Sequence, residues 1–224
     1  MRSKIDGEGP GQCPDRMSLK LRYGPMFSGK STSVQTEIRR HQAVGWPVFV
    51  VTHTLDTRYS NTPMIVNHDR HSMPALSGTT LMDFLKDASY RVSKLVVVEE
   101  AQFFPDLVAF VKQVVDVDGK HCIVVGLDGD SERRPIGHVL DLVPLADEAC
   151  KFNALCRRCG DGTEAPFTYA HAADAEAATA AGTVCVGADD RYTPLCRRHW
   201  LEATGTPKNV VERTRSISIT NHGC

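Results

Sequence analysis

The stretch Gly24-Pro25-Met26-Phe27-Ser28-Gly29-Lys30-Ser31 fits the spacing G-x-x-x-x-G-K-[ST]. The chemistry of that spacing is phosphate binding. Glycines let backbone N–H groups turn toward phosphate oxygens. A helix opening directly after the loop adds the positive end of its dipole. Lys30 supplies a mobile charge for the β- and γ-phosphates of a nucleotide, and the Ser31 hydroxyl can ligate Mg²⁺. A second group of reactive side chains follows the apolar run Leu95-Val96-Val97-Val98, which leads straight into Glu99-Glu100. An acid at the carboxyl end of a buried strand beside a phosphate-loop strand is where an NTPase holds its Mg²⁺. Two adjacent acids suggest two roles, one facing the metal and one facing the phosphoryl acceptor.

A third constellation lies further on. Cys156-x-x-Cys159 and Cys196-x-x-His199 are two paired knuckles separated by a long loop. Three thiolates and one imidazole make a closed tetrahedral set for structural Zn²⁺, with no open position for catalysis. A single C-x-x-C would read as a redox pair; two pairs favour metal. Cys185, inside Thr183-Val184-Cys185-Val186, reads as a core thiol. Cys122 and Cys150 read as buried free thiols from their apolar surroundings.

These residues need elements to hold them. Ser18 to Tyr23, Pro47 to Val51, Leu95 to Val98 and Cys122 to Leu127 are short runs, mostly apolar and Val-rich, suited to buried parallel strands. Between them, Lys30 to Val44, Thr79 to Asp87 and Asp106 to Val117 are helix-like, with Pro105 placed for a helix start. Alternating strand and helix predicts an α/β fold: a phosphate-loop parallel sheet flanked by helices. From about Lys151 the character changes to cysteine pairs, glycines and an Ala-rich stretch, Ala170 to Ala181, which fits either a short helix or an irregular loop. The expected organisation is a disordered arm at 1–17, a phosphate-loop domain at 18–150, a small zinc-held module at 151–202 and a flexible tail at 203–224.

The chain has 224 residues and a formal net charge of -1, so it lacks the basic footprint of a nucleic-acid binder. No apolar run approaches the ~20 residues of a membrane span. The N-terminal stretch has no apolar core of the secretory kind. A cytoplasmic, reducing location is expected, where clustered cysteines point to metal rather than disulfides.

Taken together, the phosphate loop, the acid pair and the zinc knuckles, in this order, resemble the thymidine kinase family of the cellular, zinc-containing type. The likeness runs from Lys20 to Trp200. It includes Asp56-Thr57-Arg58-Tyr59-Ser60, His68-Asp69-Arg70, Glu99-Glu100-Ala101-Gln102-Phe103-Phe104-Pro105-Asp106, Leu127-Asp128-Gly129 and Leu142-Val143-Pro144-Leu145-Ala146. The resemblance implies phosphoryl transfer from ATP to thymidine, a zinc-held "lasso", and a homo-oligomer, dimer or tetramer. It implies that Glu100 accepts the proton of the 5′-hydroxyl, that Glu99 sits near the metal, and that Arg58 lies near the phosphates. It also implies that Met26, Phe103, Leu127 and Thr168 surround the base. In the lasso, Val186, Gly187, Ala188, Asp189 and Asp190 would pair with the pyrimidine edge through their backbone, with Tyr192 stacking alongside.

Departures from the family pattern are specific. Glu99 stands where Asp is usual. Ser131 and Ile136 stand where the loop after Leu127-Asp128 usually carries two phenylalanines. Ala170 stands where an arginine is common, and the lasso is longer and Ala-rich. These predict weaker base contacts with the reaction unchanged, unless a lasso residue such as Phe167 fills the gap. Two other readings stand beside this one. One is a phosphate-loop ATPase carrying a zinc-knuckle nucleic-acid-binding module, supported by Arg157, Arg158, Arg197 and Arg198 flanking the ligands. The other is a signalling GTPase, which would want an N-K-x-D motif that the chain lacks.

Overall fold

The computed structural model describes residues 17–55, 64–66, 72–171 and 191–205. In chain order the strands are β1 (Ser18–Tyr23), β2 (Val48–His53), β3 (Met64–Val66), β4 (Ser72–Pro74), β5 (Leu76–Gly78), β6 (Leu95–Val98), β7 (His121–Gly126), β8 (Glu148–Lys151), β9 (Ala154–Leu155), β10 (Glu164–Ala165), β11 (Phe167–Ala170) and β12 (Tyr192–Leu195). The helices are α1 (Lys30–Ala43), α2 (Ala88–Val92), α3 (Leu107–Lys112) and α4 (Arg197–Ala203).

Six strands form one sheet in the order β5-β2-β6-β7-β1-β8, every pairing parallel. All of β6 is buried, as its unbroken Leu-Val-Val-Val run requires in a strand covered on both faces. Side chains alternate between the two faces. Val96 and Val98 join a core with Leu19, Leu21, Phe49 and, from α3, Leu107, Phe110 and Val111. Leu95 and Val97 join a second core with Ile123, Val125 and, from α1, Val34 and Ile38. The buried Arg22 ties β1 to α1, through a hydrogen bond to the Ser33 hydroxyl and an ion pair with Glu37 at 3.4 Å.

The sheet order corrects one expectation. The strand that carries the acid pair is not beside β1, because β7 lies between them. All three strands are parallel, so their carboxyl ends still open on one edge.

Local differences have local causes. The helix expected from Thr79 to Asp87 is a 3₁₀ turn, Met82–Lys86, followed by α2. The Asp87 side chain accepts from the Ser89 amide at 2.7 Å and starts a new helix there. The helix expected to reach Val117 does so, but its last turn, Gln113–Val117, is widened to π geometry. Cys122 is buried, whereas Cys150 is exposed. Cys150 sits on β8, an edge strand whose four residues are all exposed, so its apolar neighbours in sequence do not cover it. The Cys185 segment, most of the Ala-rich stretch, the arm up to Arg16 and the chain beyond Gly205 lie outside the described residues.

Past the sheet, β9 pairs with β10, and β11 with β12, both antiparallel. Their small core holds Ala154, Cys156, Ala165, Leu195, Cys196 and Trp200, with Phe27 of the phosphate loop packed against it. No helix among the described residues is long and apolar enough to cross a membrane.

Candidate active site

The phosphate loop leaves β1 and turns into α1 at Gly29, a left-handed residue with φ 79°. Gly24 is required by close approach: a Cβ there would lie 2.2 Å from the Phe152 carbonyl oxygen. The Lys30 ammonium donates to the Pro25 carbonyl at 2.6 Å and to the Ser28 hydroxyl at 3.2 Å. Both acceptors belong to the loop, so the lysine is drawn over the cradle that its neighbours form.

The acid pair ends β6 at a sharp turn. Glu99 is buried, and the strand alternation puts it on the α1 face of the sheet. Glu100 adopts a left-handed conformation, φ 50° and ψ 41°. Such a conformation is uncommon for a residue with a Cβ and clusters at functional sites. One cleft is lined together by Met26, Phe27, Ser28, Gly29, Lys30, Ser31, Thr32, Glu99, Glu100, Gly126 and Leu127. Phosphate loop, acid pair and the end of β7 thus meet at one cleft.

The cleft suits a hydrated divalent cation. Ser31 and Glu99 line it together. Val51 pairs with Val98, which sets Thr52 level with Glu99 on the neighbouring strand. The buried Thr52 hydroxyl has no hydrogen-bond partner among the described residues. Buried polar groups are almost always paired, and a metal-bound water would supply the missing partner.

Several of the residues expected around the base lie close together. Met26 and Tyr192 are buried together with Ala170, and Leu127 packs against them. The Met26 amide donates to the Thr168 hydroxyl at 3.1 Å. Phe103 is not part of that cluster; its ring lies 5.6 Å from that of His53. Burial holds the His53 imidazole below its ordinary pKa, and its Nδ1 accepts from the Leu55 amide at 3.1 Å. Arg58 and Val186, Gly187, Ala188, Asp189 and Asp190 lie outside the described residues.

Cys156, Cys159, Cys196 and His199 come together with all ligand atoms within 4.8 Å of one another. The Cys159 and Cys196 sulfurs are 3.8 Å apart, and His199 Nδ1 lies 3.3–3.4 Å from all three thiols. A tetrahedral ion with sulfur at ~2.3 Å and nitrogen at ~2.0–2.1 Å requires about 3.8 and 3.6 Å. Cys196 precedes the first turn of α4, so the three-residue spacing puts His199 on the same face. Burial opposes ionisation of Cys156. Backbone N–H groups of Cys196, Cys159 and Arg158 and the His199 side chain outweigh it, bringing the thiol down to about 6. Nε2 of His199 lies 3.3 Å from the Arg198 guanidinium and 4.0 Å from a Glu202 carboxylate oxygen.

Some working residues carried no assigned role in the sequence. Gln102 is buried between Glu100 and the Leu127 amide. The guanidinium of Arg133 lies 3.8 Å from the Trp200 ring and 5.3 Å from that of Phe167. The Trp200 indole donates to the Ser131 carbonyl at 3.1 Å. A polar residue inside the apolar stretch Ala101 to Phe104 was the one available signal for Gln102; the Arg133 contact had none, since it joins distant segments.

The chain matches a family model described as Thymidine kinase over residues 17–200. It is 39% identical over 181 residues to "Thymidine kinase a" of Arabidopsis thaliana, covering 80% of this chain and 72% of the relative. It is 35% identical over 193 residues to "Thymidine kinase, cytosolic" of Homo sapiens, covering 86% and 77%. Against "Thymidine kinase" of Vaccinia virus (strain Western Reserve), identity is 32% over 185 residues, covering 83% and 97%.

Proposed function

The chain belongs to the thymidine kinase family, and from that premise we propose that it transfers the γ-phosphate of ATP to the 5′-hydroxyl of thymidine, giving dTMP and ADP. The observation that carries the reading is the single cleft lined by Lys30, Ser31, Glu99, Glu100 and Leu127. Donor phosphates, acceptor hydroxyl and base are thereby given adjacent ground.

In this reading the phosphate loop, Gly24 to Ser31, binds the ATP phosphates. Mg²⁺ held by Ser31 and Glu99 would supply charge neutralisation at the β- and γ-phosphate oxygens. The 5′-oxygen bonds to the γ-phosphorus as the bond from phosphorus to the β–γ bridging oxygen breaks. The hydroxyl proton passes to Glu100, and ADP leaves. Lys30 and Arg58 stabilise charge spread over the transferring group. Met26, Phe103, Leu127, Thr168 and Tyr192 enclose the base, and the backbone from Val186 to Asp190 reads its edge. Residues 18–150 act as the kinase domain. Residues 151–202 act as a module held by one structural Zn²⁺ on Cys156, Cys159, Cys196 and His199.

The nucleic-acid reading is not favoured. Of the four arginines that motivated it, Arg157 lies 4.9 Å from the Phe27 ring, and Arg197 lies 4.8 Å from that of Phe167. Two of the cations that a backbone-binding face would need are thus engaged with this chain's own aromatics. A cytoplasmic homo-oligomer, dimer or tetramer, without nucleic acid, completes the proposal. Light scattering on the purified chain tests the oligomer.

The decisive assay follows phosphate transfer from labelled ATP to each deoxynucleoside, beside the Lys30→Ala variant. Thymidine should be the preferred acceptor, and the variant should lose activity by orders of magnitude while keeping its melting temperature. Preference for another acceptor would overturn the thymidine assignment. Near wild-type turnover in Lys30→Ala would overturn the phosphate-loop assignment.

A further inference from the structure

The Gln102 side chain is buried, with both ends of its amide engaged. Its Oε1 accepts from the Leu127 amide at 3.0 Å. Its Nε2 donates to Glu100 Oε2 at 2.5 Å. The orientation is forced: a backbone N–H needs an acceptor, so the –NH₂ end must face the carboxylate. The backbone is held as firmly. At Gly137 a Cβ would lie 2.1 Å from the Gln102 carbonyl oxygen, so that segment packs directly on it.

We propose that Gln102 is a positioning residue for phosphoryl transfer, holding the Glu100 carboxylate in register with the Leu127 end of β7. The proposal rests on the reading that Glu100 takes the acceptor's proton. Glu100 sits in a left-handed turn just past the end of β6. One charge-assisted hydrogen bond from a buried amide limits its rotamers. The other end of that amide is anchored to β7, the strand between the acids and the phosphate loop. The base is thus set relative to both the donor phosphates and the nucleoside wall at Leu127. Small misplacements of a catalytic group cost rate steeply.

Only glutamine serves both contacts at this length. Gln102→Glu keeps an acceptor for the Leu127 amide but turns a second acceptor toward Glu100. Gln102→Met removes both bonds at similar volume. The test measures kcat, thymidine KM and melting temperature for the full chain, for both variants, and for Gln102→Glu in a Glu100→Gln background. Gln102→Glu should lower kcat by about 10- to 100-fold, with thymidine KM within about twofold. Gln102→Met should lose similar kcat and also raise thymidine KM several-fold. In the Glu100→Gln background, Gln102→Glu should cost nothing further, because the group it acts through is gone. Equal losses in both backgrounds, or wild-type kcat in folded Gln102→Glu, would overturn the proposal. If Gln102→Glu does not fold, the cycle is run with Gln102→Met, to the same criterion on kcat. A wild-type enzyme that prefers another nucleoside would sink the thymidine reading alone, since the same cycle then runs on that acceptor. A chain that phosphorylates none would overturn both.

Discussion

The Met26 amide donates a 3.1 Å hydrogen bond to the Thr168 hydroxyl, so the second residue after Gly24 in the phosphate loop is fastened to β11. Phe27, next in the loop, packs against the metal-binding module and lies 4.9 Å from the guanidinium of Arg157. In the proposed reading, donor site and nucleoside-binding module therefore share adjacent residues, and damage to one is expected to reach the other.

Thr168→Val keeps the shape of the side chain and removes the acceptor. The Met26 amide, in a buried contact, is then left unpaired at a cost of about 1–3 kcal/mol. Melting temperature should fall by several degrees, and thymidine affinity should drop several-fold. Calorimetry on the variant checks both. Unchanged values would show that the bond carries neither stability nor binding.

Glu100→Gln preserves size and cannot take a proton. It should lower kcat by about 10²–10⁴-fold, with little change in ATP binding. Glu99→Gln should instead raise the Mg²⁺ concentration needed for half-maximal rate. Kinetics against a Mg²⁺ series distinguish them, and exchanged phenotypes would reverse the two roles.

Cys159→Ser should release the metal and loosen the loop between the knuckles. Structural zinc contributes folding energy directly. One zinc per chain should be found by elemental analysis of active wild-type protein and little in the variant. Thymidine binding should weaken more than ATP binding, because Thr168 and Tyr192 belong to the module's strands. Active wild-type protein without zinc would refute the metal assignment.

Ser131→Phe tests the wall of the base site. The Ser131 carbonyl is pinned by the Trp200 indole through the main chain, a bond that survives the substitution. Phe167 is engaged by Arg133 and Arg197, with guanidinium carbons 5.3 and 4.8 Å from its ring, which argues against its filling the base pocket. A restored ring should tighten thymidine by about 1–3 kcal/mol, by analogy with base stacking on single strands. It should also reject analogues with bulky base substituents. A raised thymidine KM would mean that the space is already occupied.

The phosphate-loop motif, the acid pair and the cysteine–histidine knuckles were legible in the sequence, because each has a short, fixed spacing set by local geometry. The phosphate loop needs Gly29 and Lys30 at a strand-to-helix turn, and Cys196-x-x-His199 needs one helical turn. The central strands were legible as well, since burial on both faces demands an unbroken run like Leu95 to Val98. The edge strands were not. β8 exposes all four residues, so Glu148 to Lys151 carries no burial signal, and Cys150 was misread with it. Strand order also lay beyond the sequence. Parallel pairing is a long-range choice, and only the fold placed β7 between the acids and the phosphate loop. The contacts that join the parts (Gln102 to Leu127, Trp200 to Ser131, Met26 to Thr168) span 25, 69 and 142 residues. Local spacing encodes what each segment can do; which segments meet is decided by packing.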